Sequence, residues 1–151
     1  MNNHLQLKYN SAFADSFKLY DDDDVVAQVY QPFRGEWGRI VINGVVYQAR
    51  RDGWVSRTFV LCQGDEIICR AKKSVLEKKF EIQHQAIQCT LKTDLGHTGF
   101  DISLNKRDVG TIERKHWFTR NATVKLPAGF SMELKVFVVW LAHILQHRRL
   151  R

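Results

Sequence analysis

Several things are scarce in this 151-residue chain. There are only two prolines, Pro32 and Pro127, and both fall between patterned stretches. Proline removes a backbone donor and breaks element interiors, so each strand or helix pattern can run its full length. The three cysteines, Cys62, Cys69 and Cys89, are an odd and widely spaced set. They do not read as a disulfide framework, and their apolar or alternating surroundings point to buried free thiols in a reducing compartment. Crossing a bilayer takes about 20 consecutive apolar residues, and no such run exists, so no transmembrane segment is expected. The start, Met1-Asn2-Asn3-His4, enters an alternating pattern directly, without the basic and apolar regions of a signal peptide. The expected location is cytoplasmic, with peripheral association at the inner membrane surface as the one membrane option. Nucleophile elbow, P-loop, CxxC and dinucleotide fingerprint are all absent. The reading is therefore a non-enzymatic chain without a cofactor. Its length suits one domain, residues 1–151, that buries a core without disulfides or metal.

What is present begins with one helix. From Val136 to Leu145 the sequence is apolar on every face, with His143 the one exception. A helix apolar all round must be enclosed by protein or by lipid. This stretch covers only about 15 Å at 1.5 Å per residue, and extending it backward brings in Glu133 and Lys135. A buried core helix fits these facts. Ser131 is placed to cap it, while Glu133 suits its N-terminal dipole and Arg148 and Arg149 its C-terminal one. Pro127 and Gly129 break the chain just before it. The predicted helix covers about 132–147.

Almost everything earlier reads as strand. Short alternating segments recur at 5–9, 17–20, 25–30, 39–42, 45–50, 58–61, 67–72, around 80–84, 87–92, 100–105, 107–114 and 121–126. Asn43-Gly44 is a strong hairpin signal, and Gln63-Gly64-Asp65 marks another turn. No internal repeat is claimed. The acidic run 21–24 lacks the further oxygen ligands of a calcium loop and reads as a solvated turn. The fold expected is mainly β: a closed antiparallel barrel of about ten to twelve strands around a central hydrophobic C-terminal helix.

That arrangement resembles the tubby-like architecture, which takes in tubby domains, LURP-one-related proteins and phospholipid scramblases. The likeness covers roughly residues 5–149 and rests on element order, with local pieces at 70–74, 78–82, 109–112 and 137–149 similar to bacterial members. The resemblance implies a non-enzymatic module that binds phosphoinositide headgroups through basic side chains on its outer surface. The calcium-binding segment of the scramblases has no match here.

Charge is uneven. Residues 1–66 hold 7 Lys/Arg and 9 Asp/Glu, while residues 67–151 hold 16 and 7. Two basic clusters are candidate lipid- or anion-binding sites. One is Arg70, Lys72, Lys73, Lys78 and Lys79, with Arg70 and Lys72 alternating outward with Ile68, opposite Ile67, Cys69 and Ala71. The other is Lys106, Arg107, Arg114, Lys115 and Arg120, beside Trp117 and Phe118. Each lysine or arginine near an anionic membrane contributes about 1 kcal/mol. Anionic lipid headgroups are the first partner this suggests, and an acidic protein is the alternative. Nucleic-acid phosphates are a weaker candidate, and a solvated charged surface explains the same residues without a partner. An enzyme with a site on the barrel rim is the least favoured reading. His143 and His147 have helical metal-ligand spacing, but no carboxylate lies nearby in sequence. A hydrogen-bonded core histidine is expected instead, and no metal.

Overall fold

Alternation of apolar and polar residues makes one face of each strand insoluble, and the strands bury that face by curling into a closed sheet. A computed structural model describes residues 4–10, 15–32, 35–53, 56–94, 99–114 and 121–149, with side chains to Gln146. Twelve strands are present: β1 His4–Tyr9, β2 Phe17–Asp21, β3 Asp24–Tyr30, β4 Trp37–Ile42, β5 Val45–Arg51, β6 Thr58–Gln63, β7 Glu66–Lys73, β8 Lys79–His84, β9 Ile87–Thr93, β10 Gly99–Leu104, β11 Arg107–Arg114 and β12 Ala122–Lys125. Each pairs antiparallel with its neighbour in sequence, and β1 pairs with β12 to close the barrel. One helix, α1 Met132–Arg149, follows. It ends two residues beyond the predicted boundary.

Barrel diameter grows with strand number, and about eight strands already leave only room for side chains. Twelve strands enclose more space, and α1 fills it. Residues 136–145 are buried without exception. The helix touches parts of the wall four strands apart: Trp140 lies 5.9 Å edge-on from Phe59 of β6, and His143 lies 5.8 Å from Phe17 of β2. Phe59 has room because its cross-strand neighbour is Ala71. No helix among the described residues is long and apolar enough to cross a membrane.

The barrel has two unlike ends. At one, five hairpins turn through two residues each, at 22–23, 43–44, 64–65, 85–86 and 105–106. The first residue of each turn has positive φ, and Asn43-Gly44 has it at both positions, as a type I′ turn requires. At the other end the connections run to between five and seven residues. The helix enters at the turn end and points its C-terminus to the loop end. Glu133 accepts a bond from Tyr47 near one tight turn, whereas Trp140 reaches Gln31 just past β3.

Three bulges break the two-residue alternation, in the β2–β3, β6–β7 and β10–β11 pairs. Each leaves one extra β-branched residue, Val26, Ile68 or Val109, packed against the core. This corrects the reading of β7. Cys69 and Ala71 face inward and Arg70 and Lys72 outward, but it is Ile67, not Ile68, that stands out toward solvent.

Candidate functional site

Basic residues are regrouped by the ends of the barrel rather than by their order in the chain. The β7–β8 connection, residues 74–78, lies at the loop end. Three backbone bonds hold it: Ser74 N–H donates to Lys79 O at 3.0 Å, Lys73 N–H to Arg57 O at 3.0 Å, and Thr93 N–H to Lys78 O at 3.4 Å. Inside it, the Ser74 hydroxyl accepts from Glu77 N–H at 3.3 Å, a local turn that serine side chains favour. The tip thus fixed carries Val75 at 65% exposure and Leu76 at 93%. Leaving a leucine that exposed forgoes about 1.5–3 kcal/mol of burial.

Cations surround that apolar tip. Lys72, Lys78 and Arg57 are exposed, and none has a carboxylate partner among the described residues. Lys73 donates to Ser74 O at 3.1 Å. Lys79 is different: Glu77 at 3.5 Å and Glu81 at 3.7 Å neutralise it. Arg70 shares Asp52 with Arg50, at 3.9 and 3.6 Å. Below the tip, Thr58, Arg70, Lys72, Glu81, Gln83 and Gln88 line an open depression of about 380 Å³ on the outer wall.

The described members of the second predicted cluster, Lys106, Arg107 and Arg114, do not assemble as one. Lys106 and Arg107 sit at the β10–β11 turn, next to Asp108 and at the same end as the acidic 21–24 and 65–66 turns. Arg114 lies at the far end of β11, about 23 Å away at 3.3 Å per residue. There its guanidinium faces the Gln146 side-chain amide at the helix end, whose oxygen accepts from Nε at 3.2 Å once the amide is turned to match its donors. Lys115 and Arg120, like Trp117 and Phe118, lie outside the described residues.

The interior holds a second set of reactive groups, and their environment disarms them. His84 Nδ1 lies 3.0 Å from Ile68 O and 3.4 Å from Cys69 Sγ, while Nε2 lies 3.2 Å from Ser131 Oγ. A carbonyl only accepts, so Nδ1 carries the proton and Nε2 accepts from Ser131. The Ser131 oxygen in turn accepts from Leu134 N–H at 3.2 Å and caps the helix as predicted. Burial, followed by the charge of Glu133, pushes the Cys69 thiol up to about 12. Burial, with a smaller contribution from Glu81, pushes Cys89 up to about 11. A cysteine and a histidine do meet, but the thiol is enclosed and stays protonated, the opposite of an activated nucleophile. His143 has the partner its burial requires: Tyr9 Oη at 2.8 Å from Nδ1. The side chain of His147 lies outside the described residues. Among those described, no three His, Cys, Asp or Glu residues converge as a metal site.

Comparison adds no relative. Protein-family models, curated proteins and solved structures yield no match.

Three residues of the rim, Arg57, Val75 and Leu76, escape a reading based on charge runs. Val75-Leu76 interrupts the lysines in sequence and so looks like a break in the patch. The signal is the apolar pair itself, set among charged residues in the short stretch between two strand patterns.

Proposed function

We propose that this protein is a non-catalytic module that docks on anionic membrane surfaces with the loop end of its barrel. The observation that carries this is the Val75–Leu76 tip, held out from the rim between Lys72 and Lys73 on one side and Lys78 on the other. An apolar tip ringed by cations matches a lipid interface, where acyl chains lie beneath anionic headgroups. Three lysines at about 1 kcal/mol each and partial burial of Val75 and Leu76 at about 2–3 kcal/mol come to about 5–6 kcal/mol. That corresponds to a dissociation constant near 100 µM, a weak and reversible attachment. The depression lined by Arg70 and Lys72 is placed to take a headgroup phosphate from the side. The element order and the enclosed terminal helix support reading the chain as tubby-like, with a cytoplasmic location and the inner membrane surface as its target.

Flotation with neutral and anionic vesicles tests the proposal. The protein should float with vesicles rich in phosphatidylserine or phosphoinositide and not with phosphatidylcholine alone. Lys72→Glu with Lys78→Glu should abolish flotation, and Leu76→Ser should weaken it roughly tenfold or more, the loss of about 1.5–2 kcal/mol of burial. Absence from both vesicle types, or indifference to these substitutions, would overturn it.

A further inference from the structure

The outer wall of β3–β5 carries a second surface of a different character. Antiparallel register places Tyr30 beside Arg39 and Arg39 beside Gln48 in one row, with Val41 beside Val46 in the next row toward the turn end. Trp37 precedes Arg39 on the same face, about 7 Å along the strand. Trp37 is 50% exposed, Val46 54% and Tyr30 43%, although each has an apolar body that burial would stabilise. The Arg39 guanidinium lies over the Tyr30 ring at 4.7 Å and has no ion pair among the described residues. Tryptophan, tyrosine and arginine together are the composition of binding hot spots.

Beside Trp37 the wall opens into a depression of about 580 Å³, lined also by Glu36, Gln48, Arg50, Arg51 and Gly53. Its carboxylates are already engaged: Glu36 is bonded to Arg51, and Asp52 at the margin pairs with Arg50 and Arg70. Two carboxylates thus face three arginines, and Arg39 adds a further positive charge with no ion pair among the described residues. Because the barrel is closed, no strand edge is free here, so a partner must be recognised through side chains and not by adding a strand. Tyr30 and Trp37 stand at the loop end, where β3 ends and β4 begins, and the face runs from them down the wall to Val46 beside the 43–44 turn, beyond the reach of a membrane lying across the loop end.

We propose that this face docks an acidic peptide segment of another protein. A large apolar side chain of the partner enters the Trp37 depression, and a carboxylate pairs with Arg39. The 7 Å between the two subsites matches side chains two residues apart on one face of an extended peptide. The Trp37 end of this surface adjoins the docking rim, while Arg39 and Val46 lie on the wall below it.

Selection of a random-peptide phage library on the full chain, followed by titration of the enriched synthetic peptides, tests this. Enriched sequences should pair a large apolar residue with an aspartate or glutamate two positions away. Their affinity should fall about tenfold or more for Trp37→Ala and for Arg39→Glu, and stay unchanged for Lys72→Glu. A peptide with lysine in place of its carboxylate should regain binding to Arg39→Glu, a result that loss of folding cannot mimic. Three outcomes overturn the proposal: enriched peptides without acidic preference, enrichment equal on the Trp37→Ala/Arg39→Glu variant, or a Trp37→Ala effect confined to vesicle flotation, which assigns the face to the membrane.

Discussion

At the scale of single residues, the interior is specified by a few polar atoms that must find partners far away in sequence. Trp140 Nε1 donates to Gln31 Oε1 at 2.8 Å, and Gln31 Nε2 donates to Gly35 O at 2.6 Å. The space for this chain comes from Gly38. A Cβ there would lie 2.8 Å from Gln31 Oε1 and 3.1 Å from Trp140 Nε1, so Gly38→Ala forces the bond apart. A buried group left unsatisfied costs about 1–3 kcal/mol. Urea unfolding of Gly38→Ala should show a lower midpoint at unchanged slope, and an unchanged midpoint would contradict this role. Sequence indicates that a buried His143 needs a partner. It cannot name Tyr9, because that contact joins residues 134 positions apart and depends on barrel closure.

At the scale of elements, patterns of two and of roughly four residues carried most of the information. The strands are legible because each presents one apolar face, and the helix because its apolar run has no polar face to show water. Ser131 is legible as a cap from its position before Glu133 and the apolar stretch. Its second role, as donor to His84 across the barrel, is not legible. Removing the hydroxyl loses the cap, about 1 kcal/mol, and leaves the His84 acceptor unsatisfied at about 1–3 kcal/mol. Ser131→Ala should therefore destabilise by about 2–4 kcal/mol, and Ser131→Thr by much less, in chemical denaturation followed by far-ultraviolet circular dichroism. Equal stability of the two variants would show that the hydroxyl does not tie helix to wall. The bulges at Val26, Ile68 and Val109 escape pattern reading for a physical reason. One inserted residue reverses the alternation locally, and nothing in the identity of Ile68 marks it as the inserted one.

For the whole molecule, the decisive property is polarity between its two ends. The tight turns begin at 22, 43, 64, 85 and 105, intervals of 21, 21, 21 and 20 residues. This repeat is hidden in the sequence because its shared feature is a positive φ, met by Asp22, Asn43, Gly64, Gln85 and Asn105 alike. The same alternation sends every longer connection to the other end. It explains why Lys106–Arg107 and Arg114, near neighbours in sequence, work at opposite ends, and why Arg57 joins the lysines of the β7–β8 connection. The central claim is that this end meets a membrane through Leu76. The native cysteines are all buried, and two are held protonated by burial, so a single introduced thiol can be labelled selectively. The most direct measurement places an environment-sensitive fluorophore on Leu76→Cys, with Val46→Cys as the wall control, and adds vesicles containing a bilayer-embedded quencher. With anionic vesicles the probe at position 76 should shift to the blue and be quenched, while the probe at position 46 keeps its aqueous emission. A probe at position 76 that remains water-like while the protein is vesicle-bound would contradict the account.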